Sequence, residues 1–150
     1  MKLEIALILI VVMSTLSNCK TKQPLLPIDG TWELVSATTI EKDTTFSTFN
    51  PNHKMIKIIN STHFAFLNHA VTLEKDSASN AFTAGGGKYT LVDSIYTEHL
   101  DYFVDKKWEN NKFQFVIKIV NDTLIQKGIE KIDKLGIDHV IIEKYKRIKS

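Results

Sequence analysis

The residues of this chain that could do chemistry are few and scattered. Five histidines, His53, His63, His69, His99 and His139, are the obvious metal-ligand candidates. No two stand at the i,i+2 or i,i+4 spacing that places two ligands on one face of a strand or helix. There is no H-E-x-x-H run, and the lone cysteine has no partner to complete a site. Three different strands would have to converge, so no metal and no cofactor is expected. Ser94, His99 and Asp101 are the types of a nucleophile, base and orienter. Ser94, however, falls in an expected turn, while His99 and Asp101 share one face of one strand, which is not how a hydrogen-bonded triad is built. Glu98 and Glu143 would suit acid–base hydrolysis if both pointed inward about 5 to 9 Å apart. Nothing in the sequence orients them so, and the pair reads as solvated carboxylates. Gly85-Gly86-Gly87 lacks the following helix and Lys-Ser/Thr of a phosphate loop, and reads as a flexible turn or bulge entering a strand. No catalytic residue is assigned, and a non-enzymatic protein is expected.

The whole-chain arithmetic agrees with a binding or structural role. Of 150 residues, 43% are hydrophobic and 24% charged, the balance of an ordinary globular domain. Nineteen Lys and Arg oppose 17 Asp and Glu for a net charge of +2, with the signs interspersed. No basic face is dense enough for phosphate-dominated binding, so nucleic acid is not an expected partner.

Residues 1–18 carry an address. Lys2 gives a positive start, Ile5 to Met13 is an almost unbroken apolar run, and small and polar residues follow up to Cys19. This is a secretory signal, too short for a span of about 20 apolar residues. Leu16-Ser17-Asn18-Cys19 resembles the bacterial lipoprotein signal box, which implies a diacylated Cys19 as the new N-terminus and membrane attachment through acyl chains. Lys20-Thr21-Lys22-Gln23 carries no acidic cluster, which points to an outer-membrane anchor facing the periplasm. Residues 19–28, with two prolines and no period, read as a tether, and residues 29–150 as one domain.

Within that domain the apolar period is two. Phe113, Phe115, Ile117 and Ile119 alternate with Lys112, Gln114 and Lys118, as a strand with one wet face requires. Similar segments predict eight strands, at Gly30–Ala37, Lys54–Asn60, His63–Asn68, Lys88–Val92, Ile95–Phe103, Lys112–Val120, Thr123–Ile129 and Asp138–Ile148. Asn60-Ser61-Thr62, Asp93-Ser94, Asn110-Asn111 and Asn121-Asp122 are turn residues between them, which makes sequential strands antiparallel neighbours. The best helical stretch is Gly128 to Leu135, two turns at most. Such a meander forms a sandwich or closes into a barrel, and closure removes both exposed edges.

Gly30-Thr31-Trp32, opening the first strand, resembles the G-x-W start of the lipocalin and wider calycin barrels. The Gly-rich turn and the hairpin bearing Tyr89 and Tyr96 are similar to those of lipocalin-like lipoproteins of Bacteroidetes type. The resemblance implies an all-β, eight-stranded antiparallel up-and-down β-barrel over residues 29–149. It further implies that Gly30 and Trp32 plug one end beneath a basic side chain from the last strand, Arg147 before Lys146. A guanidinium over indole is worth about 0.5 to 2 kcal/mol. The first interstrand loop, Thr38 to His53, would then be a flap, and Phe46 and Phe49 either close on a ligand or cap the core. The second long connection, residues 70–86, either flanks the same rim or is partly disordered.

For the lumen, Phe64, Phe66, Tyr89, Tyr96, Glu98, Phe113, Phe115 and Tyr145 are the expected ligand contacts, Tyr and Glu supplying the few polar groups that orient a ligand in an apolar pocket. A one-residue slip in face assignment would invert the set. The expected function is a lipid-anchored barrel that binds a small, mostly apolar molecule in the cell envelope. The alternative is a filled barrel acting as an envelope interaction module, with a contact patch near Trp108 and Tyr102.

Overall fold

The alternation carries through into an antiparallel meander. A computed structural model describes residues 26–71 and 82–149. The signal peptide, Cys19, the tether up to residue 25 and residues 72–81 of the second long connection lie outside these. The described residues form ten strands: β1 (Gly30–Glu41), β2 (Thr44–Ser47), β3 (His53–Ile59), β4 (His63–Ala70), β5 (Thr83–Val92), β6 (Ile95–Leu100), β7 (Tyr102–Phe103), β8 (Asn111–Val120), β9 (Thr123–Ile132) and β10 (Ile137–Arg147). Eight of them pair in the order β1-β3-β4-β5-β6-β8-β9-β10, and β10 returns to β1, closing an up-and-down barrel. β1 serves two partners on one edge: Gly30–Glu33 pair with β3 and Thr38–Glu41 with β2, while Trp32–Ile40 on the other edge pair with β10.

Seven of the eight expected strands are present, the eighth, Ile95–Phe103, is broken at Asp101 into β6 and β7, and the departures from expectation are local. β2 lies inside what read as the Thr38–His53 loop, where Thr38 pairs with Ser47 and Glu41 with Thr44. The Gly128–Leu135 stretch is not helical: Gly128–Ile132 complete β9, and only Asp133–Leu135 make a 3-10 turn. Gly85-Gly86-Gly87 is not a turn before a strand but the middle of β5, paired with Phe66, Ala65 and Phe64 of β4. A Cβ on Gly85 would stand 2.7 Å from both the Phe66 and the Phe103 ring, and one on Gly87 would collide with the His99 carbonyl oxygen. Close approach of neighbouring strands requires the glycines there.

The two ends differ in kind. At one, the hairpins are tight. Asn121 and Asp122 both have positive φ, 49° and 58°, as a two-residue I′ turn demands. The Asn60 side chain accepts from the amides of Thr62 and His63 at 2.9 and 2.8 Å. Leu26 to Ile28, expected as the end of the tether, instead belong to the fold: Ile28 is buried and its carbonyl accepts from the Trp32 indole at 2.7 Å. Arg147 lies 3.9 Å over the Trp32 ring and donates to the carbonyls of Asp29 and Pro27, both at 2.6 Å. The longer connections, 48–52, 104–110 and 133–136, collect at the opposite end.

Candidate functional site

The inward face of the barrel is apolar near the Trp32 end and polar at mid-height. On β3 the alternation sends Lys57 inward between outward-facing Ile56 and Ile58, so that Lys57 is 2% exposed while Ile58 is 42% exposed. β6 contributes Tyr96, Glu98 and Leu100, and β9 contributes Leu124, Gln126 and Ile132. β10 turns Ile141, Glu143 and Tyr145 toward the same space.

These polar side chains form one network. The Lys57 ammonium donates to Glu98 Oε1 at 2.8 Å and to Gln126 Oε1 at 3.0 Å, and it lies 5.0 Å from the centre of the Tyr145 ring. Gln126 Nε2 donates to Glu143 Oε2 at 3.4 Å, and the Tyr145 hydroxyl donates to the same oxygen at 2.7 Å. Nearer the open end, Glu130 Oε2 and His139 Nε2 are 3.0 Å apart. The buried Lys57 charge is satisfied by more than its ion-pair partner, because Gln126 also accepts from it.

Above the network lies a cavity of about 230 Å³. Its wall combines Lys57, Glu98, Gln126, Glu130, Glu143 and Tyr145 with Met55, Phe66, Leu100, Phe103, Trp108, Phe113, Phe115 and Ile141. Trp108 packs between Phe103 and Phe113, with ring centres 5.7 and 6.3 Å away, and forms the aromatic part of the rim.

Burial shapes the titration of these groups. Desolvation raises the Glu143 carboxyl above the ordinary value of 4.5, with the Lys57 charge and the Tyr145 hydrogen bond opposing it. Desolvation likewise raises Glu130, against the hydrogen bond from His139. Tyr145 is raised by burial and then by the Glu143 charge, and Tyr96 by burial and then by Glu98.

The expected ligand contacts divide. Phe66, Glu98, Phe113, Phe115 and Tyr145 line the cavity. Phe64, Tyr89 and Tyr96 face inward but pack below it as a floor: Tyr96 lies 6.5 Å from Phe64 and 5.1 Å from Tyr89, whose hydroxyl donates to the Asn60 carbonyl at 2.7 Å. Phe46 and Phe49 do not line the cavity, because β2 carries Phe46 outward at 43% exposure and Phe49 sits half-buried in the following loop. Trp108 is not an exposed contact residue beside Tyr102: Tyr102 is outside, and Trp108 turns in to the wall. Glu98 and Glu143 are not solvated at the surface but share one cavity. Asp101, from the rejected triad, accepts from the Lys88 amide at 3.1 Å.

Sequence reasoning missed Lys57, Gln126 and Glu130. The signal for Lys57 was present: a single lysine within Met55-Ile56-Lys57-Ile58-Ile59, flanked by isoleucines that invite the opposite face assignment. The period from Leu124 to Ile132 also carries Gln126 and Glu130 inward.

No curated protein matches the chain. A family described as a domain of unknown function, DUF4488, matches residues 27–150, a span that takes in Pro27 and Ile28 at the plugged end and every strand of the barrel. The chain therefore belongs to the DUF4488 family.

Proposed function

We infer that this protein is a small-molecule-binding barrel of the lipocalin-like kind, held to the bacterial envelope through lipid on Cys19 and facing the periplasm. The cavity carries the reading. It lies within a closed barrel and is lined by aromatic rings together with convergent polar groups, the composition of a site that grips a ligand's body and orients its polar end. Its 230 Å³ exceeds the roughly 150 Å³ of an apolar cavity that holds benzene, which suits a molecule of one ring and a short chain.

Native mass spectrometry of residues 20–150, purified without detergent and followed by organic extraction, tests this. A stoichiometric adduct that is lost when Trp108→Ala opens the aromatic wall supports the reading. A bare mass, together with no response of Trp108 fluorescence to a library of single-ring compounds, refutes it. Labelled palmitate on the wild type and not on Cys19→Ala tests the anchor.

An interaction module is the second reading, favoured by a shallow apolar groove on the outer wall between Leu67 and Val104, with Tyr102 70% exposed at its side. Tyr102→Lys, which leaves the cavity untouched, would abolish a partner held there and leave ligand binding intact.

A further inference from the structure

We propose that the ligand carries a cationic nitrogen, an ammonium on a compact aromatic or aliphatic body, and that Glu143 is the carboxylate that receives it. This rests on the cavity being a binding site. The cavity wall contains three carboxylates, Glu98, Glu130 and Glu143, against one ammonium, Lys57. Two of the three are already engaged: Glu98 by Lys57 at 2.8 Å and Glu130 by His139 at 3.0 Å. Glu143 is different. Among the described residues no cationic nitrogen lies within 4 Å of it, and its hydrogen bonds come from two neutral donors, Tyr145 and Gln126. Both bonds go to Oε2, so Oε1 receives none from the described residues while its residue lines the cavity.

A carboxylate in this position is oriented without being neutralised. Buried charge is costly unless paired, and burial accordingly raises the Glu143 pKa. A ligand ammonium supplies the missing charge and three donors, while the Phe103, Trp108 and Phe113 rings accept the body and add cation–π attraction. An anionic ligand meets the opposite situation, because the one lysine in the wall is already held by Glu98 and Gln126. Besides burial, Lys57 from β3 and the Tyr145 hydroxyl from β10 lower the Glu143 pKa and Glu98 from β6 raises it, and Glu130 from β9 faces the same cavity.

The test compares 2-phenylethylammonium, 2-phenylethanol and 3-phenylpropionate against the full-length protein at pH 8, by calorimetry and Trp108 fluorescence, with Trp108→Phe as the signal control. The ammonium is expected to bind at least tenfold more tightly than the alcohol, and the propionate not at all. Glu143→Gln is expected to cut the ammonium's affinity at least tenfold and to leave the alcohol's within twofold. Should Glu143→Gln fail to fold, calorimetry of the wild type in two buffers of different ionisation enthalpy, at half-unit steps of pH upward from 4.5, replaces it, with proton release on ammonium binding expected in the window opened by the raised Glu143 pKa. Alcohol and ammonium binding equally, no effect of Glu143→Gln, or no proton release overturns the inference while the binding barrel stands. Failure of all three probes to bind overturns the inference, and joined to a bare native mass and no library response it overturns the binding barrel as well.

Discussion

At the scale of single residues, the interior is governed by which polar atoms have partners. Lys57 makes two hydrogen bonds, one of them the ion pair with Glu98, at 3% side-chain exposure, so truncating it leaves Glu98 buried and uncompensated. Lys57→Met is expected to cost about 3–5 kcal/mol in urea unfolding, with Lys57→Met, Glu98→Gln recovering part of the loss because the orphaned charge is gone. An additive double mutant would show that the two groups do not interact. Tyr96 presents the reverse case. Its hydroxyl is buried and makes no hydrogen bond among the described residues, while its ring packs against Phe64 and Tyr89. Removing an unsatisfied hydroxyl relieves a desolvation cost, so Tyr96→Phe should leave stability unchanged or raise it by about 1 kcal/mol in the same assay. A loss above that would mean that the hydroxyl has a partner in solution.

At the scale of elements, period and punctuation made the meander legible. Phe113, Phe115 and Ile117 are buried on β8 as their alternation required, and Asn121-Asp122 makes the tight turn its composition announced. What failed to show was anything that depends on a third strand. The glycines of β5 look like loop residues because the reason for them lies elsewhere: the His99 carbonyl blocks a Cβ at Gly87, and the Phe66 and Phe103 rings block one at Gly85. Gly87→Ala should therefore destabilise the barrel by about 1–3 kcal/mol, whereas the same change at Gly128→Ala tests a contact between β9 and β8 instead, where Gln114 and Phe115 crowd the site. Neutral behaviour of Gly87→Ala in thermal unfolding would show that β5 can shift away from β6. β2 was missed for a related reason: its four exposed residues, Phe46 the one apolar side chain among them, show no alternation, and only pairing with the far half of β1 makes them a strand. The candidate site was half legible. Its aromatics announced themselves, but Lys57 and Gln126 are polar residues on inward faces, and composition alone puts such residues outside.

At the scale of the whole molecule, the barrel is divided along its axis into a sealed end and a receptive one. The Trp32–Arg147 plug contributes no atom to the cavity wall. Trp32→Ala should cost about 3–5 kcal/mol of stability, with any ligand affinity unchanged in whatever fraction remains folded. The receptive half instead couples ligand and proton. Because burial raises Glu143 and Glu130 above 4.5, the folded chain holds protons that the unfolded chain releases. Stability from these two groups must then fall as pH rises from about 4.5 through their folded-state values and level off above them. The stability difference between wild type and Glu143→Gln isolates the effect: the variant's relative advantage should grow over that window, read as urea midpoints at half-unit steps of pH. Saturating 2-phenylethylammonium should reverse the trend, since a ligand that prefers the ionised carboxylate stabilises the fold more as pH rises. A pH-independent difference between wild type and variant would mean that Glu143 is already ionised in the empty barrel and is compensated from within.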